Sequence, residues 1–228
     1  MKVSIIYPFK NEMESTVFLK NLISFKTLGN QFEILFVGSS SDGTSELISS
    51  YGFSPLEFSD PSRAIKMNHA LKSACGDVIL FHHPRSFVDR LGLLQLTKLR
   101  ADQMWGGFVH RFDQRSLGLL FTSWYSNNVR AKIKEVFYLD HCIFVQRAMG
   151  DLSFDEVEIF EDTLISQKFN KRYQAHMLNF YSTTSAIRFH QNGFWKQSFK
   201  NQLLKLAFLL NIDHKDMNKF YEKGLFLN

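Results

Sequence analysis

Apolar positions in the first third of the chain fall into short runs separated by polar loops, and strand-like and helix-like spacings alternate. "KVSIIYP" is a short apolar run stopped by a proline, the pattern of a buried strand. "NEMESTVFLKNLISFKTL" places Val17, Leu19, Leu22, Ile23 and Phe25 close to helical spacing, and Gly29 ends it. "FEILFVG" predicts the next strand, "SSSDGT" a turn with an Asp-Gly step, and "TSELISSYG" a helix. "FSPLEFS" reads as a weak strand. "PSRAIKMNHALKSACG" predicts a helix with Pro61 near its start and Gly76 just past its end, and "DVILFHH" predicts a fourth strand. This alternation argues for a parallel sheet with helices on both faces.

The second half is less regular. "LGLLQLTKLRA" reads as helix, "WGGFVHRFD" as strand and "LGLLFTSWYSNNVRAKI" as helix. "FYLDHCIFVQRAMG" reads as strand and turn. "FEDTLISQKFNKRY" opens a helix with two acids, where the macrodipole favours them. "QAHMLNFYSTTSAIRF" is a strand and its exit, and "FWKQSFKNQLLKLAFLLNI" a helix mixing Lys196, Lys200 and Lys205 with many apolar residues. Ligands of open α/β sheets bind at the carboxyl ends of the strands. The loops expected there are "PFKNE", "GSSSDGT", "DPSR" and "HHPRS". They carry neither G-x-G-x-x-G nor G-x-x-x-x-G-K-[ST], which excludes an ordinary dinucleotide or P-loop site.

Composition narrows the class. A chain of 228 residues with 45% hydrophobic content suits one α/β domain with a short appendage. The 24 phenylalanines predict aromatic core packing. A net charge of +5 suits a polyanionic ligand or an anionic membrane surface. No Lys/Arg run is dense enough to argue for nucleic acid; "NKRY" comes nearest. Cys75 and Cys142 have neither metal-ligand nor redox-motif spacing, and their apolar surroundings predict two buried free thiols in a reducing compartment. The apolar start is too short for a signal peptide, and no stretch reaches the ~18 apolar residues of a membrane span. A cytoplasmic protein is expected, with peripheral contact at the inner membrane face left open through the C-terminal helix.

Several segments together resemble GT-A glycosyltransferases of family 2. "SIIYPFKNE" is similar to their opening strand and "SSSDGTSELI" to their second loop and helix. "SRAIKMNHALKSACGDVILFHHPRS" resembles a bacterial subgroup with G-R-A-x-Q-M-N-x-G-A followed by G-D-x-L-L-F-L-H-A-D-T. "WGGFVHRFD", "DHCIFVQRA", "FEDTLIS" and "STTSAIRF" follow in that subgroup's order. The resemblance implies a GT-A-like (Rossmann-like), mostly parallel sheet flanked by helices over 1–190, with a C-terminal helical appendage over 191–228. It also implies inverting transfer of a sugar from a nucleotide-diphosphate sugar to an acceptor hydroxyl; the acceptor itself is left open, with a lipid-linked one or a glycan among the candidates.

By the same resemblance, Pro8, Asn11 and Glu12 face the base and ribose, and Asp42 contacts the ligand or braces its own turn. Arg63 and Asn68 lie near the pyrophosphate, where a helix N-terminus with an arginine suits an anion. Asp162 is the general base, with Glu161 second; both are also placed to cap their helix. Trp105, Gly106, Gly107 and Asp140 line the acceptor side, and Arg188 reaches the leaving diphosphate.

One departure bears on mechanism. The subgroup's metal-holding aspartate is replaced by Arg85, although His83 matches; Val37 replaces another aspartate expected near the base. A divalent cofactor (Mg or Mn) therefore lacks its usual ligand. His82 and His83 point to opposite strand faces, which argues against a shared zinc. Either Arg85 supplies the positive charge itself and transfer is metal-independent, or the protein is a non-catalytic GT-A-like binding or scaffold protein. A nucleotidyltransferase on a similar fold is less favoured, because the acidic pair sits late in the chain.

Overall fold

A computed structural model describes residues 1–223. Along the chain run β1 (Val3–Phe9), α1 (Thr16–Lys26), β2 (Phe32–Gly38), α2 (Thr44–Ser50), β3 (Leu56–Glu57), α3 (Arg63–Leu71), β4 (Val78–Phe81), β5 (Ser86–Val88) and α4 (Arg90–Gln95). Then come β6 (Trp105–Phe112), α5 (Leu117–Tyr125), β7 (Ile143–Gln146), α6 (Glu161–Asn170), β8 (Ala175–Thr184), α7 (Ile187–Asn192), α8 (Phe194–Leu209) and α9 (His214–Lys223).

β1 is buried along its whole length because both sheet faces are covered. Val3, Ile5, Tyr7 and Phe9 enter one core with Phe18, Leu22 and Phe25 of α1. Ile6 enters the other with Ala64, Met67 and Ala70 of α3 and Ile165 and Phe169 of α6. The period of two explains why a strand buried on both sides reads as a continuous apolar run. The strand order is β3-β2-β1-β4-β7-β6-β8-β5. Neighbours from β3 to β4 pair in parallel, as the alternating pattern predicts. The sheet then becomes mixed: β7 runs antiparallel to β4 and β6, β6 and β8 are parallel, and β5 is antiparallel to β8.

Pro8 lies inside β1 and does not stop it. His82 N–H donates to Ile6 O at 2.9 Å, so that side of β1 faces β4. The β1–β4 ladder ends at Ile6 and Phe81. Pro8 presents its missing N–H beyond that end, where no ladder bond is lost.

Other expectations need correction. The second-half helix gives way to a π-helical turn at Ser126–Ala131. There the Asn127 amide satisfies both backbone groups of His110, each at 2.8 Å. The segment before Ile143 is a 3-10 turn at Leu139–His141, and only Ile143–Gln146 is strand. Cys142 is buried, but Cys75 is exposed. It follows α3 on an outer turn, where Lys2 Nζ lies 2.8 Å from its sulfur and Glu33 also reaches it.

The last helices lie against the rest of the fold. Phe208 packs on Phe160 with ring centroids 4.6 Å apart, and His214 Nδ1 donates to Ile159 O at 2.9 Å. No helix among the described residues is long and apolar enough to cross a membrane.

Candidate active site

The loop after β4 is held from beneath by buried polar side chains. Tyr7 OH donates to Pro84 O at 2.7 Å, and Asn21 Nδ2 donates to Ser86 O at 2.8 Å. Ser86 Oγ bonds Thr184 Oγ1 at 2.7 Å, and Ser185 N–H donates to Arg85 O at 2.9 Å. The loop carrying His83 and Arg85 is thus fixed by α1, β1 and the end of β8. The two histidines of that loop separate as strand alternation requires. His82 is buried against Tyr7, with rings stacked 5.2 Å apart, and burial lowers its pKa to about 4. His83 faces the opposite way, and its Nδ1 accepts the Arg85 N–H at 3.3 Å.

Charges converge on His83. Burial first, then Arg63, Arg85 and Arg188, hold its imidazole well below its ordinary range, against the pull of Asp140. Three arginines from α3, the β4 loop and α7 therefore act on one point at the carboxyl end of β4. The Arg188 guanidinium also sits over the Tyr221 ring at 4.4 Å.

Asp140 faces this cluster from the 3-10 turn. Its backbone carbonyl accepts from Ser182 Oγ at 2.6 Å, which fixes the turn to β8. Its carboxylate lies 3.7 Å from His110 Nε2 and 4.0 Å from His141 Nε2. Burial alone would raise its pKa, but His110, His141, Arg130 and His83 hold it below the ordinary carboxylate range. Burial lowers both histidines in turn, His141 to about 3. The result is a partly buried anion beside largely neutral rings.

The acidic pair opens α6. Its N-cap, Phe160, adopts φ 66° and makes no side-chain cap bond, so the two acids provide the negative charge that the first turn favours. The two side chains have separate partners. Glu161, 2% exposed, is ion-paired to Arg63 at 2.5 Å. Asp162, also buried, accepts the Leu139 N–H at 3.0 Å. Burial first, then the Glu161 charge, raises its pKa to about 7, with Arg63 opposing.

The loops after β1 and β2 are tied to each other. Asn11 Oδ1 accepts from Ser41 N–H at 2.9 Å, and Glu12 N–H donates to Thr44 Oγ1 at 2.8 Å. Asp42 Oδ2 takes the Met13 N–H and Oδ1 takes both polar groups of Thr44, so Asp42 braces its own turn. Burial raises Glu12 to about 7, with Arg85 as the leading opposing charge. Lys66, buried under this loop, donates to Phe9 O at 3.3 Å.

Not every expected residue lies here. The Asn68 amide is engaged with both backbone groups of Phe154, at 2.9 and 2.8 Å. It ties α3 to the 150s loop and does not face the arginines. Trp105 is fully buried, packed on Phe137 and Phe169, with its indole N–H on Tyr173 O at 2.9 Å. Gly106 and Gly107 are spacers within the sheet. A Cβ on Gly106 would lie 1.7 Å from His176 O, and one on Gly107 2.7 Å from the Phe137 ring. None of these three lines an acceptor surface. Val37 is a fully buried core residue.

Sequence reasoning passed over Tyr7, Asn21, Lys66 and Arg130. Asn21 carried a readable signal: it lies on the same helical stripe as Phe18 and Phe25, where a polar residue calls for a buried partner. Arg130 stacks over Tyr138 at 3.5 Å, across a turn that no local pattern foretells.

The residues present do not fit a divalent ion. Arg85 occupies the position where the resemblance expects a carboxylate ligand. Among the described residues, no group of three His, Cys, Asp or Glu is placed to hold a metal.

No protein-family model and no curated protein matches the chain. Solved structures do. The S. aureus TarS fragment 1–349 in complex with UDP-GlcNAc superposes with TM-score 0.58 at 19% identity, over 81% of this chain and 59% of that one. Glucosyl-3-phosphoglycerate synthase from Mycobacterium tuberculosis, in complex with Mn2+, UDP and its product, gives 0.61 at 16% identity, over 79% of this chain and 70% of that one. The mannosyltransferase PcManGT from Pyrobaculum calidifontis, with GDP-Man and Mn2+, gives 0.58 at 14%, over 80% and 56%. The fold is GT-A. At these identities the likeness concerns the fold alone, and the chain spans about 60% of the first TarS fragment.

Proposed function

We propose that this GT-A chain transfers a sugar from a nucleotide-diphosphate sugar to an acceptor hydroxyl, with inversion and without a divalent metal. In this reading residues 1–190 carry the transfer site and 191–223 form a helical appendage, the last five positions of the expected 191–228 segment lying outside the described residues. The similar solved structures hold UDP, UDP-GlcNAc or GDP-Man, which supports the donor class. The observation that carries the reading is the pairing of a buried Asp162, raised to about 7, with three arginines focused on His83.

Asp162 takes the proton of the acceptor hydroxyl as its oxygen bonds the anomeric carbon. The bond from that carbon to the phosphate oxygen breaks on the opposite face, and the nucleoside diphosphate leaves with the electron pair. A pKa near working pH suits this role. Glu161 neutralises Arg63 and is a positioning residue. Arg85 and Arg188 bind the departing diphosphate, a charge-assisted contact that a guanidinium can make in bidentate fashion. Asn11 and Glu12, with Pro8, shape the nucleotide seat, and Asp140 borders the acceptor.

The test is product analysis with UDP- and GDP-sugars. Release of nucleoside diphosphate, abolished in Asp162→Asn, is expected. Release of pyrophosphate would make the protein a nucleotidyltransferase. Donor binding with no release under any acceptor would make it a binding protein.

A further inference from the structure

Two helices far apart in sequence expose apolar stripes side by side. On α5, Leu117, Leu120, Phe121 and Trp124 are exposed; on α8, Trp195, Phe199, Leu206 and Leu209 are exposed, with Leu210 just beyond its end. The α5 set recurs at three- and four-residue steps; the α8 set does so in two pairs, Trp195/Phe199 and Leu206/Leu209, with the exposed Gln202 between them, and each set fills an arc of roughly 100°. Leu117 is 89% exposed, Trp195 83% and Leu209 75%, so these side chains stand outside the core.

The stripes are neighbours. A Cβ on Gly118 would meet the Phe194 ring at 2.3 Å, and Lys205 Nζ lies 5.6 Å from the centre of the Tyr125 ring. The start of α5 thus touches the start of α8, and the Lys205 side chain of α8 reaches the last residue of α5. Scattered exposed apolar residues are ordinary, but a contiguous two-helix patch marks an interaction surface.

Charge names the partner. Segments 114–134 and 193–212, which hold these helices, contain seven Lys/Arg (Arg115, Arg130, Lys132, Lys134, Lys196, Lys200 and Lys205) and no Asp or Glu. The whole chain nets only +5, so everything outside these segments is net acidic. Burial and the charges of Arg130 and Lys134 lower Lys205 to about 8, a sign that positive groups are crowded there. Tryptophans and leucines among basic side chains, with acids only just past the segment edges (Asp113, Glu135 and Asp213), match an anionic lipid surface. A protein partner or a second copy would need acids that this face cannot itself provide.

We propose that the α5–α8 face docks flat onto an anionic phospholipid leaflet, Trp124 and Trp195 entering the headgroup region and the exposed Arg115, Lys132, Lys134 and Lys196 contacting the phosphates. This rests on exposure and charge and does not require sugar transfer. It also orients the candidate site, since Phe208 packs on Phe160, the residue before Glu161.

The test is flotation of the full chain with vesicles of phosphatidylglycerol and phosphatidylcholine in equal parts, against phosphatidylcholine alone. About tenfold stronger binding to the anionic vesicles is expected, weakened by salt. Tryptophan emission should shift to the blue, because two of the three tryptophans lie on the face while Trp105 is already buried. The exposed double variants Phe121→Glu/Trp124→Glu and Trp195→Glu/Phe199→Glu should each lose about tenfold in vesicle affinity with circular dichroism unchanged. Lys132→Glu/Lys134→Glu should lose binding to anionic vesicles selectively. Undiminished binding by the face variants overturns the proposal. So does equal binding to both vesicle types, or a dimer that these variants dissolve in a protein that floats with neither.

Discussion

The two ends of the strand order hold their ligand-facing loops by different means. From β3 to β4 the strands are parallel, and β1, β4 and the end of β2 are buried. Their first two loops are tied to each other, the Asn11 side chain taking the Ser41 N–H and the Thr44 hydroxyl the Glu12 N–H, and within this half the β4 loop is held by buried side chains, Tyr7 and Asn21. From β7 to β5 the sheet is mixed, and buried polar side chains do the positioning: His110, His141, Ser182 and Thr184 around Asp140. The parallel half presents a polar cradle on a rigid apolar base. The mixed half holds a charge in place. The two meet at His83, where Arg85 comes from one and Asp140 from the other.

The sharpest way to break this contrast is Asp162→Asn. Turnover should fall by about 10²–10⁴, the usual range for a general base, while donor affinity stays within about twofold. Full activity in the variant would remove Asp162 from the chemistry. Because its folded pKa is raised to about 7, wild-type rate should climb through that pH as the carboxylate forms. The same raised pKa contributes stability that is lost as pH rises through about 7, so Asp162→Asn should melt higher than wild type at pH 8, by ~2–4 °C.

Asp140→Ala comes next. It removes the anion beside the half-buried Arg130, the two histidines facing it being neutral, and should cost about 1–2 kcal/mol in urea unfolding. A cost under about 0.5 kcal/mol would mean the mixed half does not depend on this charge. Acid should weaken the protein as well. His82 and His141 have folded pKa values lowered to about 4 and about 3. The stability they contribute is present above the ordinary histidine value and lost as pH falls from there toward 3, and a pH series of melts reads it directly.

Asn21→Ala should cost about 1–2 kcal/mol and loosen the Arg85 loop, because it leaves the Ser86 carbonyl unpaired in a buried place. Weaker donor binding should accompany it. Cys75→Ser, on the exposed edge, should change stability by less than about 0.5 kcal/mol.

How far each region could be read from sequence follows the same division. β1, α1, β2, α2, α3 and β4 were legible because continuous apolar runs and turn residues record parallel α/β structure locally. β5 was not: three residues, Ser86–Val88, become a strand only by pairing with β8, about a hundred positions away. The 3-10 turn at Leu139–His141 rests on the contact from Ser182 to Asp140, which no local period records. At the site, the arginine in place of an acid was plain in the sequence, and so was the acidic pair. Which member of that pair is engaged was not, since Arg63 lies far from Glu161 along the chain. Trp105 and the two glycines were expected on the acceptor side only by the family resemblance; they are interior because β6 lies between β7 and β8.

The most direct measurement is calorimetric titration with UDP, GDP and their sugar conjugates, in chelator and then in manganese, on wild type and Arg85→Ala. Binding of at least one nucleotide that is unchanged by chelator and weakened about tenfold or more in Arg85→Ala is expected, the size of a lost charged hydrogen bond. Binding that appears only with manganese, or that survives Arg85→Ala intact, would contradict an arginine standing where the metal is usually held.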